Sequence, residues 1–189
     1  MKMRLLTAAI LGLAAALVFA FAGPASAGGL AGAQFGQPLL ITSVGQSADG
    51  QMVRVLAQRG GLSFTYDSLA DAGAVAGYRT VVLVVGGSSK GLGAAGINPD
   101  QEEQRALALI AAARSAGAGV IVMHVGGEAR RGDLTDRFVR IAAPKADYLI
   151  VVAEGNLDNI FGQIAGAGIP IDYPGSVGEA GSHLKAACQ

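Results

Sequence analysis

The chain has 189 residues, 51% of them apolar, with 14 basic and 14 acidic side chains, 29 glycines and one cysteine. That length suits one domain with a full hydrophobic core, and the even charge balance does not suggest nucleic-acid binding. The single cysteine, Cys188, excludes an intramolecular disulfide and a cysteine-built zinc site.

At the amino end, Lys2 and Arg4 precede an uncharged apolar run over 5–22, and Ala25-Ser26-Ala27 supplies the small-x-small pattern that signal peptidase reads. Cleavage after Ala27 is expected, so 1–27 is read as a cleaved secretory signal and the protein as exported, to the periplasm or the extracellular space. A retained anchor is the rival reading, because the apolar run approaches bilayer-spanning length; Gly23-Pro24 breaks the helix and favours cleavage. The run has no Arg-Arg pair before it and the cleavage point no cysteine beside it, which argues against twin-arginine export and a lipoprotein. Two of the 14 basic residues lie in the leader, so 12 remain against 14 acids in the mature chain.

Residues 28–37 are rich in Gly and Ala without periodicity, and are read as a flexible leader to a single α/β domain over 38–173. Buried parallel strands are expected over 39–44, 80–85, 119–125 and 148–153, each a short apolar run rich in β-branched residues. A more polar edge strand is expected at 62–66 and a weaker sixth at 169–173. Helices alternate with them. Ser47 is read as the cap of one running to about residue 58, and Asn98-Pro99-Asp100-Gln101 as a capping box opening a second that buries Leu107, Ile110 and Ala111. Asp133 and Asn156 are read as caps of two more, the last with Leu157, Ile160, Phe161 and Ile164 on one face. The tail, 174–189, is read as flexible, with Cys188 on it either a free thiol or the link in a covalent dimer. Nothing in the sequence specifies an oligomeric state.

Strand-helix alternation implies right-handed crossovers and a three-layer, doubly wound parallel sheet of flavodoxin-like or Rossmann-like order 2-1-3-4-5. A ligand crevice is then expected beyond the carboxyl ends of the strands, at the switch point between the first and third. Gly- and polar-rich segments follow the four apolar strands. They contain Gly45, Gln46 and Ser47; Gly86, Gly87, Ser88, Ser89 and Lys90; His124, Gly126, Gly127, Glu128, Arg130 and Arg131; and Glu154 and Asn156. The third strand is followed by an apparent long loop, 86–98, with five glycines and one charge. Backbone N–H groups in Gly-rich turns, the two hydroxyls and Lys90, Arg130 and Arg131 suit a small anionic or polar ligand. The bland alternative pairs Arg130 and Arg131 with Glu128 and Asp133 as solvated loop charges. His124, ending a buried strand, is either a ligand or proton-transfer group or a hydrogen-bonded structural histidine. No metal or cofactor is expected.

Three motif matches are partial. Gly87-Ser88-Ser89-Lys90-Gly91-Leu92-Gly93 resembles the cofactor loop of short-chain dehydrogenases, but it follows the third strand and none of the four tyrosines has Lys four residues later. Gly87-Ser88-Ser89-Lys90-Gly91 fits the G-x-S-x-G elbow of a serine hydrolase, with Ser89 as nucleophile, Asp158 or Asp172 as acid and His183 as base, yet no helix follows directly. A Walker A loop is excluded because no G-K-[ST] occurs.

The segments Ile41-Thr42-Ser43-Val44-Gly45-Gln46-Ser47, Val84-Val85-Gly86-Gly87-Ser88-Ser89-Lys90-Gly91-Leu92-Gly93, His124-Val125-Gly126-Gly127-Glu128-Ala129-Arg130-Arg131-Gly132 and Glu154-Gly155-Asn156 together resemble an uncharacterised bacterial family of exported α/β proteins. The resemblance implies export and the α/β fold over nearly the whole mature chain and supplies no catalytic residue. Three functions stay open: a binding protein serving a membrane transporter or sensor, a serine-type hydrolase using Ser88 or Ser89 with His124 or His183, and a protein-interaction domain.

Overall fold

The computed structural model describes residues 29–188 apart from 31, 33 and 167; the expected signal peptide lies outside the described residues. Apolar runs buried along all or nearly all their length become four of the strands, and two short, less buried segments become the edges. They are β1 (Leu39–Val44), β2 (Phe64–Tyr66), β3 (Thr80–Val85), β4 (Gly119–His124), β5 (Tyr148–Val151) and β6 (Ile171–Asp172), in one sheet of order β2-β1-β3-β4-β5-β6. Every neighbouring pair is parallel. The order 2-1-3-4-5 is therefore present, with β6 added beside β5.

Among the described residues, six α-helices cover the sheet: α1 (Asp49–Gly60), α2 (Ser89–Ala94), α3 (Pro99–Ser115), α4 (Asp133–Ala142), α5 (Ile160–Ile164) and α6 (Val177–Ala187). The period of two along β3 sends Val81, Leu83 and Val85 to one face and Val82 and Val84 to the other. On the first face they meet Leu92, Leu109, Ile110, Phe138, Val139, Ile160 and Phe161 from α2 to α5. On the second they meet Val53 and Ala57 of α1 and Ala180 and Leu184 of α6. The result is the expected three layers.

Helix α3 starts as expected. The Asn98 side chain accepts from the Gln101 N–H and the Gln101 side chain accepts from the Asn98 N–H, each at 2.9 Å, with Pro99 at the first helical position. Its buried stripe is Glu102, Ala106, Leu109, Ile110 and Ala113. Leu107 is only half-buried and Ala111 is exposed, because the sheet meets the helix on a face turned away from those two.

The other starts differ from expectation. Ser47 Oγ accepts from the Asp49 N–H at 3.3 Å, but Ala48 occupies the cap position of α1. Gly132 occupies that of α4, leaving Asp133 as the first helical residue. Residues 153–156 form a 3₁₀ turn, so Asn156 accepts from the Phe161 N–H without opening a helix at 157, and Leu157 stands 71% exposed. Segment 86–98 is not a long loop: Ser88 Oγ accepts from the Gly91 N–H at 3.0 Å and starts α2.

Both presumed flexible ends are built into the domain. The N–H groups of Gln34 and Phe35 donate to the Ala187 carbonyl, Phe35 stacks on Tyr148 at 6.1 Å, and Leu30 packs on the second core face. The tail residues 177–187 are α6, and Cys188 is 2% exposed, with burial pushing its thiol up to about 12. The reason is coverage. Helix α1 alone cannot hide the second face, so each end supplies apolar side chains that finish it.

Candidate functional site

The switch point between β1 and β3 is closed by backbone bonds. Gly86 O accepts from the Ser47 N–H at 3.1 Å, Gly45 O accepts from the Ser88 N–H at 2.8 Å, and Gln46 bridges to Gly87. Gly45 and Gln46 reach this arrangement with φ of 101° and 58°; a Cβ at Gly45 would strike the Gly86 carbonyl. The Gly87 N–H donates to Thr135 Oγ1 at 2.9 Å. The N–H groups of Gly45, Ser47, Gly87 and Ser88 are thus engaged within the protein.

Two buried carboxylates, absent from the sequence-derived set, stand behind this closure. Glu102 of α3 is 0% exposed and accepts from the Gly45 N–H at 2.8 Å and Gln46 Nε2 at 3.0 Å, while Arg105 grips it through Nε at 2.8 Å and Nη2 at 2.9 Å. Arg105 also donates to the carbonyls of Ser43 and Ala70. Burial alone would raise the Glu102 carboxyl, but Arg105, the Gly45 N–H and the Gln46 amide together hold it below the ordinary value. Asp49 of α1 is 1% exposed, accepts from Ser47 Oγ at 3.0 Å and lies close against the backbones of Gly86 and Gly126. The sequence signal was available in both cases: Glu102 and Asp49 fall on the apolar stripes of their helices.

His124, at the end of β4, is 0% exposed. Its Nδ1 lies 2.9 Å from the Val85 carbonyl. A carbonyl only accepts, so Nδ1 carries the proton and Nε2 is the free acceptor. Nε2 has no hydrogen-bond partner among the described residues, and the ring edge carrying it lies directly under Gly155, where a Cβ would strike it. Leaving such an acceptor unmet costs about 1–3 kcal/mol. Burial pushes the imidazole below its ordinary value, with the Val85 carbonyl and Asp49 opposing. Phe161 covers the ring at 5.5 Å.

The turns after β4 and β5 enclose an open pocket of about 210 Å³, lined by Glu128, Arg131, Asp136, Glu154, Leu157 and Asp158. Arg131 is already held there. It donates to Asp136 at 2.8 Å, to both oxygens of Asp158 at 3.0 Å and to the Gly155 carbonyl at 2.7 Å. Hydrogen bonds to Asp136 and Asp158 raise its already high value, and Arg131 lowers that of Asp158. Arg131 therefore pairs within the protein, though with Asp136 and Asp158 rather than the Glu128 and Asp133 expected. Glu128, Arg130, Glu154, Ser89 and Lys90 are exposed. Among the described residues, no hydrogen bond joins Ser88 or Ser89 to His124 or His183. His183 instead meets Asp172 at 2.8 Å on α6.

A wider groove of about 860 Å³ opens at the amino ends of the strands, bordered by Gln34, Gln37, Tyr78, Arg79 and Asp147. Two of its polar residues serve the fold. Asp147 holds Arg114 and the Val120 N–H, and Gln37 holds the Ser63 N–H and the Cys188 carbonyl. Among the described residues, no three His, Cys, Asp or Glu gather to hold a metal, and no helix is long and apolar enough to cross a membrane.

A family model described as "Domain of unknown function (DUF6305)" matches residues 36–188. No curated protein matches. Among solved structures, the psychrotrophic esterase EstA from Pseudoalteromonas sp., inhibited by monoethylphosphonate, is similar at 10% identity and a TM-score of 0.36, over 77% of this chain and 92% of that one.

Proposed function

The chain belongs to that family, whose description names no activity, and we propose from its own residues that it is an exported binding protein whose pocket between the β4 and β5 turns takes a small polar ligand. Export is supported by Lys2, Arg4, the apolar run and Ala25-Ser26-Ala27. The observation that carries the ligand reading is the pocket lining: four carboxylates surround one arginine that Asp136 and Asp158 already hold. Such a lining offers hydrogen-bond acceptors and repels anions, so the ligand donates hydrogen bonds. About 210 Å³ is below the roughly 300–1,000 Å³ of drug-sized pockets, which suits a molecule of few heavy atoms. Delivery of that ligand to a membrane transporter or sensor fits an exported binder.

A thermal-shift screen of the secreted protein tests this with amines, amino acids, sugars, carboxylates and phosphates, repeated on Glu128→Gln and Glu154→Gln. A binder raises the melting temperature by mass action, about 2.7 kcal/mol at a hundredfold excess over Kd. The expected result is stabilisation by a hydrogen-bond donor that weakens in both variants. Stabilisation by an anion that disappears in Lys90→Ala and Arg130→Ala would restore an anion site built from the segments after β3 and β4. No stabilisation by any class would remove the ligand reading.

A further inference from the structure

We infer that the ligand of the pocket between the β4 and β5 turns is a small primary amine, and that His124 Nε2 is the innermost acceptor for its ammonium group. The inference rests on the pocket reading above and deepens it by naming the ligand class and the residue that receives it.

The segments after β4 and β5 face each other across a seam of two buried glycines, Gly127 and Gly155. A Cβ on Gly155 would stand only 2.8 Å from His124 Nε2 and 3.7 Å from the Gly127 Cα, and a Cβ on Gly127 would stand 3.2 Å from Glu154 Oε2. From the inside outward, the seam runs from an imidazole nitrogen through two glycines to a carboxylate. His124 is fixed as an acceptor at its inner end. Nδ1 donates to the Val85 carbonyl, which leaves the lone pair on Nε2. Among the described residues nothing donates to it, and a fully buried acceptor at the base of a carboxylate-lined pocket calls for a donor from outside.

The lining decides which donor. Asp136 and Asp158 are paired with Arg131, whereas Glu128 and Glu154 pair with nothing among the described residues. An ammonium supplies the missing positive charge together with three N–H donors, enough for both glutamates and for Nε2. Leu157, 71% exposed at the pocket edge, gives an alkyl stem a surface to lie on. Entry is coupled to Arg131, whose Nη1 donates both to Asp158 Oδ1 at 3.0 Å and to the Gly155 carbonyl at 2.7 Å. An ammonium that draws the exposed Asp158 away shifts that same nitrogen, and the Gly155 turn lifts off Nε2 with it.

The test titrates the secreted protein, its histidines labelled with 15N, with butylamine at about pH 8, where an alkylamine is charged and an imidazole neutral. Butanol and butyrate are the controls. The chain has two histidines, so two rings are read and His183→Gln assigns them. Butylamine is expected to raise the melting temperature where neither control does, and to move the His124 Nε2 resonance toward that of a hydrogen-bonded nitrogen. His124→Phe is expected to weaken the butylamine Kd about tenfold, the loss of one hydrogen bond to a charged donor. Butylamine binding that weakens in Glu128→Gln and Glu154→Gln while the Nε2 resonance stays in place overturns the role of His124 and leaves the pocket reading intact. Stabilisation by a sugar but by no amine overturns the amine assignment and again spares the pocket. If no class of compound stabilises the protein, both readings fall. Should His124→Phe fail to fold, the Nε2 resonance of the parent decides.

Discussion

Glu102 lies fully buried one turn into α3, where Arg105 and the end of β1 surround it. Replacing it with Gln keeps the shape but leaves the guanidinium without its counter-charge, and breaking a buried pair from one side costs about 3–5 kcal/mol. Urea unfolding at pH 7 is expected to show a loss of that size for Glu102→Gln. Because the folded carboxyl titrates below its unfolded value, its contribution is present above about pH 4.3 and fades as pH falls through the folded value. The gap between parent and variant should therefore narrow below pH 4. His124 carries a second pH signature. Its folded value is depressed by burial, so the unfolded chain takes up a proton first as pH falls below about 6.5, and stability drops by up to about 1.4 kcal/mol per pH unit. His124→Phe should flatten this slope between pH 7 and 5 in denaturant titrations; an unchanged slope would mean that the imidazole titrates alike in both states.

Among the elements, α6 shows what the sequence disclosed and what it hid. Its apolar positions are few and its segment contains three glycines over 174–181, so composition favours a loose tail. Tertiary contact decides otherwise: Gly181 lies against Leu56 of α1, where a side chain would crowd, and Leu184 is 0% exposed. Leu184→Ala is expected to cost 2–5 kcal/mol by urea unfolding, as for a core leucine rather than an end residue; a loss under about 0.5 kcal/mol would return α6 to the status of a loose tail. The α3 start was legible because Asn98, Pro99 and Gln101 satisfy the helix end by themselves. The starts of α1 and α4 were not, since Ala48 and Gly132 make no side-chain cap and the strand-end turns determine where those helices begin.

Over the whole molecule, the sheet was readable because β1, β3, β4 and β5 are apolar runs that only a doubly covered parallel sheet accommodates. The site was less so. Residues such as Gly45, Ser47, Gly87 and Ser88 were rightly placed at the strand ends, but whether their donors face a ligand or one another depends on Glu102, Thr135 and the Gly86 carbonyl, long-range partners that local pattern does not name.

The second core layer joins Phe35 from one end of the chain to Leu184 from the other. A ribosome releases the chain from its amino end at about 5–20 residues per second, so the cover over β5 arrives on the order of ten seconds after β1. During that interval α1 shields β1 and β3 and Phe35 is on hand for Tyr148, while the rest of the cover over β5 waits for α6. Part of this apolar face thus stays uncovered until the final helix is made, so the last residues of the chain decide when the second layer closes.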